Sequence, residues 1–419
     1  TERLPIRDLE GTAAMIGRLR EAALGLSMAM KEEAKSISFV EDTAVAPEKL
    51  SEFIGKFLGI LSSHDTTAGI YAHASVGCLH VRPVINLKTE DGIRKFEAIA
   101  TEVADLVLEY GGALSGEHGD GLVRSEWIAP MFGPRITAAF EEIKDLFDPA
   151  GLLNPGKIVR PSKMDERTLF RYPPGYATPN LATALDWSEH EGETAPKGQG
   201  FAKSVEMCNN NGHCRKFDAG TMCPSYRVTR DEKHLTRGRA NTLRLALSGQ
   251  LGPEALTGSE LLDSISLCVG CKGCKRECPT GVDMARMKIE VMHQVRQKHG
   301  LGLRERLVAY LPDYARHAAR WSGLLNARNK TGWMARLMEQ VAGISSRRSL
   351  PTWESRHFFN RGTMGVSAAQ ALASDKAVVL FVDTFNGHFE SETALDAFKV
   401  LSAAGYDVHV AAKTDLGHG

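Results

Sequence analysis

Net charge is the first thing this sequence lacks. Lys+Arg and Asp+Glu both number 51 in 419 residues, so nothing indicates a nucleic-acid or anionic-membrane partner. Long hydrophobic runs are missing too, and no stretch approaches the roughly 20 apolar residues of a membrane span. The opening, "TERLPIRDLEGTAAMIGRLR", has neither an initiator Met nor the apolar region of a secretory signal. It reads as a helix with Met15, Ile16 and Leu19 on one face, and this start and the final "AAKTDLGHG" both read as cuts within a longer protein. Cysteine is nearly absent outside one stretch: seven of the eight fall between 208 and 278. That distribution argues against a secreted disulfide scaffold and for ligands in a reducing compartment, the cytoplasm.

What is present divides by pattern. "KSISFVEDTAV" and "CLHVRPVINL" are β-branched with partial alternation and read as strands. "TEDGIRKFEAIATEVADLVLEYGG" predicts a helix with Thr89 as N-cap, Glu90 and Asp91 in the first turn and Gly111 at C′. A second helix is expected over 133–147, stopping before Asp148-Pro149. Mixed strands and helices predict an α+β domain over 1–162. Residues 163–200 are rich in Pro, Gly, Thr and Ala without a period and read as a linker. Over 201–300 cysteines alternate with helical segments, which predicts an all-α domain. Residues 301–375 are basic and helical; Pro312 and Asp313 interrupt any membrane-surface helix there and favour a connecting, packing role. "KAVVLFVDTF", "SETALDAFKVLSAAG" and "YDVHVAA" are strand, helix and strand, the start of a parallel α/β domain over 376–419.

The run Cys268-x2-Cys271-x2-Cys274-x3-Cys278-Pro has the spacing of bacterial ferredoxins, in which the fourth cysteine serves the other cluster of a pair. Thiolates at i, i+3 and i+6 wrap one face of a cubane and leave one corner for a distant residue. A zinc site is the alternative, but it usually shows two separated Cys-x2-Cys pairs. An earlier run, Cys208-x5-Cys214-x8-Cys223-Pro, offers the distant ligand. On two-cluster logic, Cys223, Cys268, Cys271 and Cys274 hold a [4Fe–4S] cluster. Cys208, Cys214 and Cys278 form a second, three-thiolate set, with Asn211 where a fourth thiolate would stand. That set is open between a [3Fe–4S] cluster, a cubane with a non-cysteine ligand, and no cluster. Cys78, alone in a strand, reads as a small buried hydrophobe.

The histidines form another group. His73 and His80 are seven residues apart, a spacing that puts them on opposite faces of one regular strand. "ASVG" must therefore turn between them if both are to meet one ion, and Gly77 allows it. Glu117-His118 lies in the Gly-rich loop "SGEHGDG". Two histidines and a carboxylate suit a divalent metal with open positions, and a further histidine suits a general base. From the residues alone, core histidines and a plain turn remain the competing reading.

"HASVGCLHVRP", "SGEHGDG" and "FDPAGLLNPGK", three blocks in order within 1–160, resemble the C-terminal substrate domain of FAD-linked D-2-hydroxyacid dehydrogenases. This group includes D-lactate, glycolate and D-2-hydroxyglutarate dehydrogenases. The segment 201–300 resembles the helical two-cluster ferredoxin domain of succinate dehydrogenase and of heterodisulfide-reductase-like carriers, although its gap before Cys223-Pro224 is longer. The start at 376 looks like the cysteine-rich domain that follows in such proteins, and the combination is most similar to large bacterial D-2-hydroxyglutarate dehydrogenase-like proteins.

The resemblance implies a fold: an FAD-linked oxidase C-terminal domain with an antiparallel sheet, then an all-α ferredoxin-like domain and the start of an α/β domain. It implies His73, His80 and Glu117 as ligands of a divalent metal, zinc in many members, and His118 as the base. It implies that Asn154, in "LNPGK", approaches the FAD. Arg82 stands where relatives often have Asn, and Arg82 or Arg124 is the expected contact for a substrate carboxylate. The implied reaction takes a hydride and a proton from a D-2-hydroxyacid, with D-2-hydroxyglutarate the best fit and D-lactate or glycolate the alternatives. Electrons then pass from flavin through the cluster or clusters to an acceptor, a quinone or a carrier protein. A homo-oligomer is expected, cytoplasmic or peripheral at the inner membrane face. A non-catalytic electron-transfer subunit is the competing function, and a redox-sensing iron–sulfur protein a third.

Overall fold

The computed structural model describes residues 11, 14–17, 25, 27–192, 197–362 and 364–411. Leu19 and the end of "AAKTDLGHG" lie outside them. Met15 and Ile16 are helical and exposed. The chain forms two compact units, 1–298 and 299–419.

In the first unit, strands β1 (Lys35–Ser36), β2 (Thr43–Ala44), β3 (Ala68–His73) and β4 (Cys78–Ile85) form an antiparallel sheet around β4. β3 pairs with β4 from Ala68 opposite Pro83 to His73 opposite Cys78. β1 sits beside Val84 and Ile85, and β2 beside Cys78 and Leu79. The stretch expected as one strand over 35–45 is thus two short strands, because Asp42 adopts a left-handed backbone (φ 73°) that breaks the run.

Successive residues of a strand face opposite ways, and β4 uses both faces. Leu79 and Val81 join the core with helices α1 (Leu50–Ser63) and α2 (Glu90–Glu109), against Phe53, Phe57, Phe96, Ile99 and Val103. Full burial of each such side chain stabilises by about 1.5–3 kcal/mol. Cys78, His80 and Arg82 face the other way. α2 starts as expected: the Thr89 hydroxyl accepts from Gly92 N–H at 3.1 Å, and Gly111 ends it with φ 63°. Helix α3 (Ile128–Phe147) begins earlier than expected and kinks at Gly133, just before Pro134.

The described residues of 163–200 have little regular structure but are packed. Trp187 is buried and donates its indole N–H to Glu290 at 3.1 Å. Helices α4 (Gly200–Glu206), α5 (Pro224–Thr229), α6 (Thr236–Leu247), α7 (Ser259–Ser266), α8 (Gly273–Glu277) and α9 (Met284–His299) follow. Their core gathers Phe201, Leu243, Ile265 and Met287 around the cysteines.

The second unit opens with helices α10 (Leu303–Ala309), α11 (Leu311–Ala318), α12 (Ser322–Lys330) and α13 (Gly332–Ala342). After α14 (Ala368–Leu372), strands β5 (Ala377–Leu380) and β6 (Asp407–Val410) pair in parallel, joined through α15 (Thr384–His388) and α16 (Ser391–Ala403). No helix among the described residues is long and apolar enough to cross a membrane.

Candidate active site and iron–sulfur centre

A tight hairpin brings the histidines together. His73 ends β3, a 3₁₀ turn covers Ala74–Val76, and Gly77 takes φ 71° before β4. A Cβ on Gly77 would lie 1.8 Å from the Val45 carbonyl oxygen, so only glycine fits. His73 Nε2 and His80 Nε2 stand 3.2 and 3.1 Å from the same oxygen, Glu117 Oε1, and His118 Nε2 is 3.5 Å from it. Three imidazoles thus converge on one carboxylate oxygen. His80 is 1% exposed and stacks between Tyr71 and His118. Burial pulls its pKa below the usual histidine range, partly offset by Glu41, and so favours the neutral, ligating form. Its Nδ1 has no hydrogen-bond partner, with Glu41 4.0 Å away. Metal-bound histidines direct their second nitrogen to such a carboxylate. The imidazoles of His73 and His80 and the carboxylate of Glu117 are donor types a divalent ion takes; among the described residues the sets already close enough for one ion are Asp42, Cys78, His80 and Glu117, and Glu41, His80 and His118.

Sequence reasoning missed Glu41 and Asp42. Glu41 Oε1 holds His118 Nδ1 at 3.2 Å and Oε2 holds Arg82 Nη2 at 3.0 Å. Asp42 is fully buried, and its carboxylate accepts from Ser115 Oγ, the backbone N–H groups of Glu117 and His118, and the Cys78 thiol. Burial opposes the Asp42 carboxylate, but these donors outweigh it and lower its pKa. The available signal was an acidic pair inside an otherwise β-branched run. Cys78 is buried as expected, but it also approaches Asp42, His80 and Glu117 closely enough for one ion.

The two candidate arginines are both buried and engaged. Arg82 also donates to Tyr71 Oη at 2.8 Å and Ser38 Oγ at 3.1 Å. Arg124 donates to the carbonyls of Glu41 and Gly119. Asn154 is exposed, with φ 45°, and its side chain meets Lys157 rather than the histidines. Leu152 and Leu153 beside it are also exposed. A separate cavity of about 420 Å³, walled mainly by apolar residues including Phe39, Phe96, Phe170 and Met207, lies away from His73, His80 and His118.

Four cysteines, Cys223, Cys268, Cys271 and Cys274, wall one small cavity. The backbone N–H of Thr236, first in α6, donates to Cys223 Sγ at 3.2 Å. That of Met284, first in α9, donates to Cys274 Sγ at 3.3 Å. Two helix N-termini therefore point at the thiols, an arrangement that favours bound negative charge. Cys208, Cys214 and Cys278 lie close enough to influence one another. Burial first, then the charges of Cys223, Cys208 and Cys278, pushes the Cys214 thiol up to about 12. The amide facing Cys208 is that of Asn210, with Oδ1 at 4.0 Å. Asn211 is exposed, and its Oδ1 accepts from His213 N–H at 2.8 Å.

Residues 5–158 match the family described as FAD linked oxidases, C-terminal domain, and residues 204–282 match the 4Fe-4S dicluster domain. The chain is 28% identical to the D-2-hydroxyglutarate dehydrogenase of Pseudomonas putida, over 98% of this chain and 44% of that protein. It is 26% identical to the enzyme of the same name from Escherichia coli, over 96% of this chain and 42% of that protein. A D-lactate dehydrogenase of Anaerostipes hadrus is 33% identical over 28% of this chain and 25% of that protein. The chain thus spans less than half the length of the curated dehydrogenases it matches most extensively. It joins an FAD-linked oxidase C-terminal domain to a 4Fe–4S dicluster domain, and along nearly all its length it is similar to D-2-hydroxyglutarate dehydrogenases.

Proposed function

We propose that this chain is the substrate-oxidising and electron-exporting part of a D-2-hydroxyacid dehydrogenase, with D-2-hydroxyglutarate, oxidised to 2-oxoglutarate, as substrate. The observation that carries this is the convergence of His73, His80 and His118 on Glu117 Oε1. His73, His80 and Glu117 would hold a divalent ion, zinc by its donor set. Such an ion lowers the pKa of a bound hydroxyl, and bound FAD supplies the hydride acceptor.

The chain's own residues handle the proton. With Nδ1 of His118 directed to Glu41, the ring's Nε2 carries the lone pair and faces the Glu117 oxygen. His118 Nε2 therefore takes the proton of the 2-hydroxyl, and Glu41 stabilises the resulting imidazolium. Arg82 and Arg124 are the cations nearest this machinery and are proposed for the substrate's carboxylates. The exposed Leu152, Leu153 and Asn154 are proposed to face the flavin-bearing part of the protein.

Cys223, Cys268, Cys271 and Cys274 would hold a [4Fe–4S] cluster, which supplies a path for single electrons. Cys208, Cys214 and Cys278 would hold a second cluster, and a quinone or carrier protein is the proposed acceptor. A reducing cytoplasm, which keeps ligand thiols from pairing as disulfides, is the proposed compartment. Exposed Trp321 and Trp333 among basic helices fit peripheral contact with the membrane face. A homo-oligomer is proposed as the working form.

The test uses the holoenzyme purified without air. Dye reduction is followed with D-2-hydroxyglutarate, D-lactate, glycolate and the L-forms, before and after chelation. Turnover of D-2-hydroxyglutarate that a chelator abolishes is expected. Turnover indifferent to chelation would remove the metal. No turnover with any acid, while dithionite still reduces the clusters, would leave an electron-transfer subunit.

A further inference from the structure

Arg239 lies in α6 and is 2% exposed. It lines the same small cavity as Cys223, Cys268, Cys271 and Cys274. Its Nε donates to the Ser264 carbonyl at 2.8 Å and its Nη2 to Ser225 Oγ at 2.9 Å, so the guanidinium is fixed on two neutral acceptors. Among the described residues it makes no ion pair with a carboxylate. Arg237, two positions away, reaches Glu232 instead and is partly exposed. A buried, uncompensated cation is costly, and proteins pair such a charge or place it against an anion. Among the described residues that line this cavity, those able to become that anion are the four thiols, as thiolates on iron.

We infer that Arg239 is the built-in counter-charge of the cluster held by Cys223, Cys268, Cys271 and Cys274, and that it sets the cluster's reduction potential. This rests on the assignment of a [4Fe–4S] cluster to those cysteines. Reduction adds one electron, and so one negative charge, to the cluster without moving a proton. A fixed cation in the wall of the same cavity stabilises the reduced form more than the oxidised form and raises the potential. The two helix N-termini at Cys223 and Cys274 act in the same sense through N–H···S bonds. Arg239 differs from them in carrying a full charge that substitution can remove. Its hydrogen bonds to Ser264 and Ser225 hold that charge in place while the electron comes and goes.

The test is a dithionite redox titration of the holoenzyme, followed by electron paramagnetic resonance. It compares wild type with Arg239→Gln, Arg239→Met and Arg239→Lys, with iron content measured alongside. Glutamine and methionine are expected to shift this cluster's midpoint to more negative potential, and lysine to stay near wild type. The signal assigned to Cys208, Cys214 and Cys278 moves less and serves as an internal reference. Failure of glutamine and methionine to assemble the cluster, with lysine succeeding, would equally show that the site requires the charge. An unchanged midpoint in R239Q and R239M would overturn the inference. So would loss of the cluster in all three variants, lysine included, because Arg239 would then be a packing residue. Absence of a [4Fe–4S] signal in the wild type, or its survival in Cys271→Ser, would instead remove the cluster assignment beneath it.

Discussion

Asp42 and His118 are joined by a 2.7 Å hydrogen bond from the His118 backbone N–H to Asp42 Oδ2, across 76 positions of sequence. The same carboxylate takes the N–H of Glu117 and the hydroxyl of Ser115. One buried side chain thus fixes the loop that presents both the candidate ligand Glu117 and the candidate base. Asp42→Ala leaves two loop amides without an acceptor, at a cost of about 1–3 kcal/mol each. Metal affinity, read by competition with a chelator, is expected to fall roughly 10–100-fold, as for other residues that orient metal ligands. Asp42→Asn, which keeps one oxygen, falls between. A core variant away from the loop, Phe53→Leu, should lower Tm yet leave the affinity unchanged; if it weakens metal binding equally, Asp42 has no special hold on the loop.

The cysteine grouping predicts unequal losses. Cys271→Ser is expected to abolish the [4Fe–4S] signal while sparing any signal from the Cys208, Cys214 and Cys278 set. Cys278→Ser is expected to do the reverse. Iron analysis with electron paramagnetic resonance reads both, and loss of the same signal in both variants would show that the cysteines divide otherwise.

Lys88 of the substrate-domain half reaches Glu206 of α4 at 2.5 Å and Glu33 at 2.9 Å. Lys203 also pairs with Glu33, and Tyr176 donates to Glu206 at 2.8 Å. Burial works against the Lys88 ammonium, but Glu206 outweighs it and its pKa is raised. Removing Glu206 leaves Lys88 and Lys203 to share one carboxylate, Glu33, and so one buried positive charge in excess. Glu206→Gln should therefore destabilise the first unit by about 3–5 kcal/mol in denaturant unfolding. A loss below 1 kcal/mol would mean water reaches these charges.

The second unit carries a pH dependence. His388 and His357 are buried with ring centroids 4.6 Å apart. Burial first, then His357 and Arg316, pulls His388 down to about 4. An unfolded histidine titrates near 6.5. Between these values the unfolded chain binds a proton that the folded chain refuses. Stability is thus full above about pH 6.5 and falls as pH drops toward 4, by on the order of 2–3 kcal/mol. Hydrogen exchange across 354–395 at pH 7 and pH 5 measures it. His388→Gln should flatten the response; an unchanged slope would assign the titration elsewhere.

Much of this was legible in the sequence where the determinants are local. Thr89 and Gly111 bracket α2 because caps act within one turn. Gly77 announced the hairpin because two histidines seven apart need a turn to meet. Spacing alone grouped Cys268, Cys271 and Cys274. What escaped is long-range. Nothing near Asp42 tells that Ser115, Glu117 and His118, three of its partners, sit more than 70 positions away, or that its left-handed backbone splits the strand in two. Asn210 and Asn211 are equivalent in sequence, and only the turn at His213 decides which faces Cys208. Arg237 and Arg239 look alike in a basic helix until the fold buries Arg239 and leaves Arg237 only half-buried.

Cys223 and Cys268 stand 45 positions apart (268 − 223) yet wall one cavity. A cluster bonded to both is a covalent cross-link as well as an electron carrier. Closing a loop of that length removes unfolded-chain entropy worth on the order of 4 kcal/mol by the relation used for disulfides. Oxidative loss of iron would then do more than break the circuit. It would cut the tie between the start of α5 and the end of α7, and the domain would begin to unfold at the moment it stopped conducting.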